Sequence, residues 1–214
     1  MGLFDFLFPP RVDELALRGI SDDDFLALVK PRIVPETRPG TVALLSFGDA
    51  SVRAAIHEAK YHGNERAFRL LGSALADYLR DADDIRTTRL NLVSLVPVPL
   101  GRERKKERGF NQAEEVARRA LRSLDDRFAL NINLLERVKE TQTQVSLERR
   151  RREENMSGAF SASPRLRRTS AAEISKCTYI IIDDVITTGA TLQAAIDALR
   201  EAGAENVIPL ALAH

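Results

Sequence analysis

The chain is 214 residues long and contains one cysteine and no tryptophan. A lone cysteine excludes an internal disulfide and a zinc site built on cysteines. Cys177 reads instead as a small packing residue just ahead of an apolar run. An excess of charge of either sign is also missing: 32 Lys and Arg stand against 31 Asp and Glu, a formal net of +1. Overall charge therefore argues for no nucleic-acid or membrane partner, and any basic surface must be local. No apolar stretch is long enough to span a bilayer. The opening MGLFDFLFPP has Asp5 inside it and no basic residue ahead, which makes a poor signal peptide. Phe6 stands where N-myristoylation calls for Ser or Thr. These absences lead to the expectation of a cytoplasmic protein. What is present is 44% hydrophobic and 29% charged residues, the composition of a globular chain, in a length that suits one α/β domain with an elaboration.

The most informative stretch is Tyr179 to Leu192, YIIIDDVITTGATL. An unbroken apolar run ends in two carboxylates, as in a strand of a parallel sheet covered on both faces. Leu192, Ala195, Ile196 and Leu199 then follow helical spacing. Strand, tight loop and helix start are thus adjacent. A helix N-terminus presents unpaired N–H groups and the positive end of a dipole. Gly189 allows close backbone approach, and Thr187, Thr188 and Thr191 add hydroxyls. The segment Val185, Ile186, Thr187, Thr188, Gly189, Ala190, Thr191 is therefore a candidate phosphate cup, where each bond to a charged oxygen is worth roughly 1.5–3 kcal/mol. Asp183 and Asp184 repel phosphate but can accept from vicinal hydroxyls or face a magnesium ion. A phosphate on one side and a diol on the other describe a ribose 5-phosphate. The competing reading is a solvated acidic strand end followed by an ordinary capped helix.

Along the rest of the chain, residues 13–30 suggest a short helix and Pro31, Pro35 and Pro39 an irregular connector. Val42 to Phe47 reads as a strand. Two helices follow, the first closed by Gly63. Leu92 to Val98 is a further strand, leading into a loop from Arg102 to Arg108 with five basic and two acidic residues. Arg102, Arg104, Lys105 and Arg108 are candidates for a second anion, a pyrophosphate; a solvated charged loop is the alternative. A helix starts near Asn111, and Phe128 to Leu135 suggests a strand. Residues 137–160 are polar and charged, and read either as a flap over bound diphosphate, with Arg152 reaching it, or as an exposed charged helix. Arg165, Arg167 and Arg168 fall in a surface loop, and Val207 to Leu212 is the last strand.

The segment IIIDDVITTGAT resembles the phosphoribosyl pyrophosphate (PRPP) signature of type I phosphoribosyltransferases. VPVPLGRERKKERGFNQAEEVA, the Thr141…Phe160 pattern and Ala59-Lys60-Tyr61-His62-Gly63 are similar to the ComF/GntX branch of that family. The resemblance implies an α/β fold, a mainly parallel central sheet flanked by helices, with an N-terminal hood-like extension. It divides the chain into residues 1–40, standing where many relatives carry a four-cysteine zinc ribbon, and a phosphoribosyltransferase domain over 41–214 with a flexible loop near 137–160. It implies PRPP and a small-molecule acceptor as partners, with Asp183 and Asp184 as catalytic residues. Mg²⁺ would be held through PRPP near those two acids rather than by the protein directly. Thr187 replaces an Asp that serves as base in 6-oxopurine transferases, which argues against hypoxanthine or guanine. Residues 1–90 would supply any hood, with Lys60, Tyr61 and His62 as candidates. A non-catalytic sensor of PRPP or a nucleotide, or an accessory to DNA uptake, is the alternative. Nucleic-acid binding is the weaker reading because no aromatics interleave the arginine-rich segments; no membrane partner is implied, and a homo-oligomer is left open.

Overall fold

The computed structural model describes residues 11–82, 92–139, 156 and 158–214. In chain order these form α1 (Val12–Gly19), α2 (Asp22–Leu26), β1 (Arg32–Val34), β2 (Thr41–Leu45), α3 (Ala50–His62), α4 (Glu65–Asp81) and β3 (Val93–Pro97). There follow α5 (Arg102–Arg108), α6 (Gln112–Leu121), β4 (Phe128–Leu130), β5 (Leu135–Arg137) and β6 (Phe160–Ala162). The chain closes with α7 (Pro164–Arg168), α8 (Ala171–Ser175), β7 (Thr178–Val185), α9 (Ala190–Glu201) and β8 (Asn206–Ala213). Among the described residues no helix is long and apolar enough to cross a membrane.

Six strands make one sheet in the order β1-β2-β8-β7-β3-β4. All neighbours are parallel except the edge pair β1–β2. The alternation within β7 explains its continuous apolar run. Ile180 and Ile182 enter the core under α3, α4 and α6, while Tyr179 and Ile181 enter the core under α9. A strand buried on both faces cannot show a polar period. The connection from β7 runs through α9 to β8 on one side, and that from β3 runs through α6 to β4 on the other. The switch point between β3 and β7 is where an open α/β sheet leaves a crevice at its carboxyl edge. Register sharpens the crevice: Pro97 is opposite Ile182, so Asp183 to Val185 run on past the end of β3 and pair only with β8.

Several expectations are corrected. The Arg102–Arg108 segment is a helix rather than a loop. It buries no residue, so no apolar period marked it, although Arg, Lys and Glu favour helix. The segment Phe128 to Leu135 splits, β4 joining the main sheet and β5 pairing antiparallel with β6. The helix expected over 13–30 is two, parted where Ser21 caps α2 by accepting from the Asp24 N–H. Arg167 and Arg168 lie on a short helix capped by Ser163. Residues 12–34 continue into the sheet through β1 and pack α1 onto α3. Arg11 grips the buried Glu58 carboxylate with two bonds of 2.7 and 2.6 Å, and that pairing holds Glu58 below the usual carboxylate range. Most of the expected flap, Arg152 included, lies outside the described residues.

Helices α4 and α6 approach closest at Gly72. A Cβ there would meet Arg119 Cβ at 2.8 Å and the backbone of Ala120 and Val116 at 3.3 Å. Gly72→Ala should destabilise the fold by about 1–3 kcal/mol, as overpacking does, read by chemical denaturation. A neutral or stabilised variant would show that the two helices can move apart freely.

Candidate functional site

Asp183 and Asp184 close β7. Each carboxylate accepts from the next backbone N–H, Asp183 Oδ1 from Asp184 at 2.9 Å and Asp184 Oδ1 from Val185 at 2.7 Å. Lys60 Nζ lies 2.9 Å from Asp184 Oδ2. It comes from the last turn of α3, which Gly63 ends at φ +58°, a conformation that costs glycine little. A Cβ on Gly63 would sit 3.2 Å from the Phe110 ring. The Lys60–Gly63 element and the Arg108–Gln112 block, far apart in sequence, are thus packed on each other beside the acids.

Burial, and then the charge of Asp184, push Asp183 up to about 7. Two half-buried carboxylates share this place with one ammonium group, and among the described residues Lys60 forms its ion pair with Asp184.

Beneath them is a cavity of about 170 Å³. Lys60, Asp183, Asp184, Thr191, Arg104 and Arg108 all line it. Spacing of four residues sets those two arginines on one face of α5. Arg102 and Lys105 are exposed and do not line the cavity. Arg108 also lies 5.4 Å from the centre of the Tyr61 ring, which is 60% exposed. Asn111 caps α6 through Ala113 N–H and donates to Val98 O at 2.9 Å, tying the end of β3 to the helix start. Gln112 donates to Ile56 O, and its buried Oε1 has no donor among the described residues. Arg137 from β5 and Met156 also line the cavity. Arg137 was missed in the sequence because it opens a segment with no period, and Lys60 was only weakly marked.

The loop after β7 is at the surface. Thr187 is exposed and Thr188 half-buried. Among the described residues the N–H groups of Thr187, Thr188, Gly189 and Thr191 donate to no protein acceptor, and Ala190 reaches only Thr188 Oγ1 at 3.5 Å. Gly189, at φ +73°, packs against the 35–40 turn, where a Cβ would stand 2.8 Å from Glu36 O. That turn is fastened to α9 by Arg38 N–H to Gln193 and by Arg200 to Arg38 O, each 2.8 Å. Free amides, hydroxyls and the start of a twelve-residue helix meet at one point, a grouping that could hold an anion, backed by the 35–40 turn and open on the Thr187 side. Val185 lines the cavity and Ile186 is buried behind it.

The sequence profile of the phosphoribosyl transferase domain matches residues 106–214, half of the chain. The chain belongs to the phosphoribosyltransferase family. It is also similar to Competence protein F of Haemophilus influenzae, 38% identical over 132 residues, which cover 61% of this chain and 54% of that protein. The chain spans about half the length of the curated relative it matches. The ComF-type membership expected from the sequence stands on these two matches. The mainly parallel sheet flanked by helices is the fold expected of that family.

Asp183 gives this crevice a measurable signature. Its folded value of about 7 exceeds the ordinary 3.8, so between those values the folded chain keeps a proton that the unfolded chain has lost. Stability therefore falls as pH rises through that window. Asp183→Asn should exceed wild type by on the order of 1–3 kcal/mol at pH 8 and match it near pH 4. A gap in thermal unfolding that does not vary with pH would contradict the burial of this charge.

Proposed function

We propose that the chain binds magnesium–PRPP and transfers its phosphoribosyl group to an acceptor, releasing pyrophosphate. The observation that carries this reading is the meeting of three features at one crevice: the paired acids, the open amide cup and the Arg104–Arg108 face. The 5-phosphate would take the N–H groups of Thr187 to Thr191, and the ribose hydroxyls would face Asp183 and Asp184. Arg104 and Arg108 would hold the pyrophosphate as charged forks. Arg102 and Lys105, exposed on the same helix, would act only as a surrounding positive field.

The residues fit a magnesium ion held through its ligand. Mg²⁺ characteristically keeps several waters and bridges to phosphates, and the carboxylates of Asp183 and Asp184 would face it. The Lys60 ammonium on Asp184 stands where positive charge is wanted. When bound, the ion would neutralise charge on the departing pyrophosphate.

In the transfer, the C1–O bond to pyrophosphate would break and its electron pair would leave with the pyrophosphate. Positive charge spreads over the sugar ring, as in glycoside cleavage, and the acceptor supplies the pair for the new bond at C1. The protein's part is to orient the ring, neutralise the leaving group through Arg104 and Arg108, and keep water out. We assign no general base and no acceptor.

A second reading, binding of PRPP without turnover, draws support from the relative, whose name states a role in competence and no reaction. Calorimetry with magnesium and PRPP tests the site common to both. Asp184→Asn and Arg104→Ala/Arg108→Ala should each weaken binding about tenfold or more, the worth of one lost charge-assisted bond. Unchanged affinity in both variants would remove the assignment. Release of pyrophosphate with any member of a panel of acceptors favours transfer; tight binding with no release favours the sensor.

A further inference from the structure

Beside their crossing at Gly72, α4 and α6 part to leave a groove of about 510 Å³. Glu65, Arg66, Arg69 and Ser73 line it from α4, and Arg119, Arg122 and Ser123 from the last turn of α6 and the residues just after it. It shares no lining residue with the cavity beneath Asp183. The two lie toward opposite ends of α6, about 15 Å apart along its axis at 1.5 Å per residue.

Two of the four guanidinium groups, those of Arg66 and Arg119, are anchored on the fold, while Arg69 and Arg122 are exposed. Arg66 Nε and Nη2 donate to the carbonyls of Leu17 and Ile20 at 2.8 and 2.5 Å, which anchors the side chain through two of its donors while its charge remains; Asp22 stands at 3.7 Å. The Arg119 side chain, 12% exposed, lies 4.6 Å from the centre of the Phe68 ring and bonds Glu115. Its other carboxylate partner, Glu65, is 81% exposed, so a stronger anion can replace it at small cost. Arg69 pairs with Asp22, and Arg122 has no acid partner among the described residues. Set against Asp22, Glu65 and Glu115, the groove stays positive, and more so when Glu65 turns out to solvent. Arginine forks bind phosphate in pairs of parallel bonds. From Arg66 to Ser73 the wall runs two helical turns, about 10 Å, more than one phosphate group can fill.

We propose that this groove is a second anion site, for a small ligand carrying two or more linked phosphates, separate from the cavity at the end of β7. Either an inorganic polyphosphate or the phosphate arm of a nucleotide has that chemistry.

The test is calorimetry with tripolyphosphate on full-length Arg104→Glu/Arg108→Glu protein, whose first cavity repels the anion. Binding in the groove should remain, beside any single phosphate group held by the Thr187–Thr191 amides. Adding Arg69→Ser/Arg122→Ser should weaken it at least about tenfold. Should that protein unfold, Ser123→Asp, an exposed charge addition, should produce the same loss. ATP bound as tightly as tripolyphosphate supports a site for the phosphate chain alone, and ATP bound more tightly supports a nucleotide. Loss of all binding in the Arg104→Glu/Arg108→Glu protein would overturn the proposal. So would full affinity after the groove substitutions, or single-stranded DNA that outcompetes both probes there.

Discussion

Two adjacent carboxylates at the end of a doubly buried strand are the constraint on which the rest of this structure turns. β7 is apolar because both its faces are covered, and it outruns β3 by the three residues that carry the acids. The same geometry that makes the strand stable makes its end costly: Asp183 is driven towards neutrality by burial and by its neighbour. A positive charge is what the site lacks, and Lys60 supplies part of it. Such a place favours any ligand that brings a cation and hydroxyl groups, which is the sense of the proposed magnesium–PRPP complex.

Around the acids, the fold draws on segments remote in sequence. Glu58, gripped by Arg11 and by Asn64 Nδ2, holds the end of α3 from which Lys60 reaches in. Gly63 and Phe110 lock that end to the turn between α5 and α6, and Phe110 packs edge-on to Phe68 of α4. Asn111 ties α6 to the end of β3. Behind the cup, the 35–40 turn covers Gly189 and clasps α9. The N-terminal residues described are therefore not an appendage. They buttress the acid side of the crevice through α1 and the cup side through the β1–β2 turn.

Much of this was legible in the sequence where local rules agree with the tertiary result. The β7–α9 unit, the Gly63 stop and the Asn111 start are written in apolar runs and capping residues. The cavity-facing status of Arg104 and Arg108 was less so. All five cations of Arg102–Arg108 look alike in a charged stretch, and only a helix separates those facing inward from Arg102 and Lys105. Lys60 owes its place to a contact with Asp184 across 124 positions, which no periodicity records. Arg137 sits on a three-residue strand whose pairing with β6 depends on long-range register. The arginine-lined groove was invisible for the same reason: its halves lie on two helices about fifty positions apart in the chain, brought together by contacts such as Arg119 with Glu65 and Phe68.

The most direct test of the account is a crystal structure with magnesium and PRPP bound. The account predicts the 5-phosphate on the amides between Thr187 and Thr191, the ribose hydroxyls against Asp183 and Asp184, and the diphosphate between Arg104 and Arg108. Lys60 should have left Asp184. PRPP lodged elsewhere, or a diphosphate with neither arginine within hydrogen-bond reach, would contradict it.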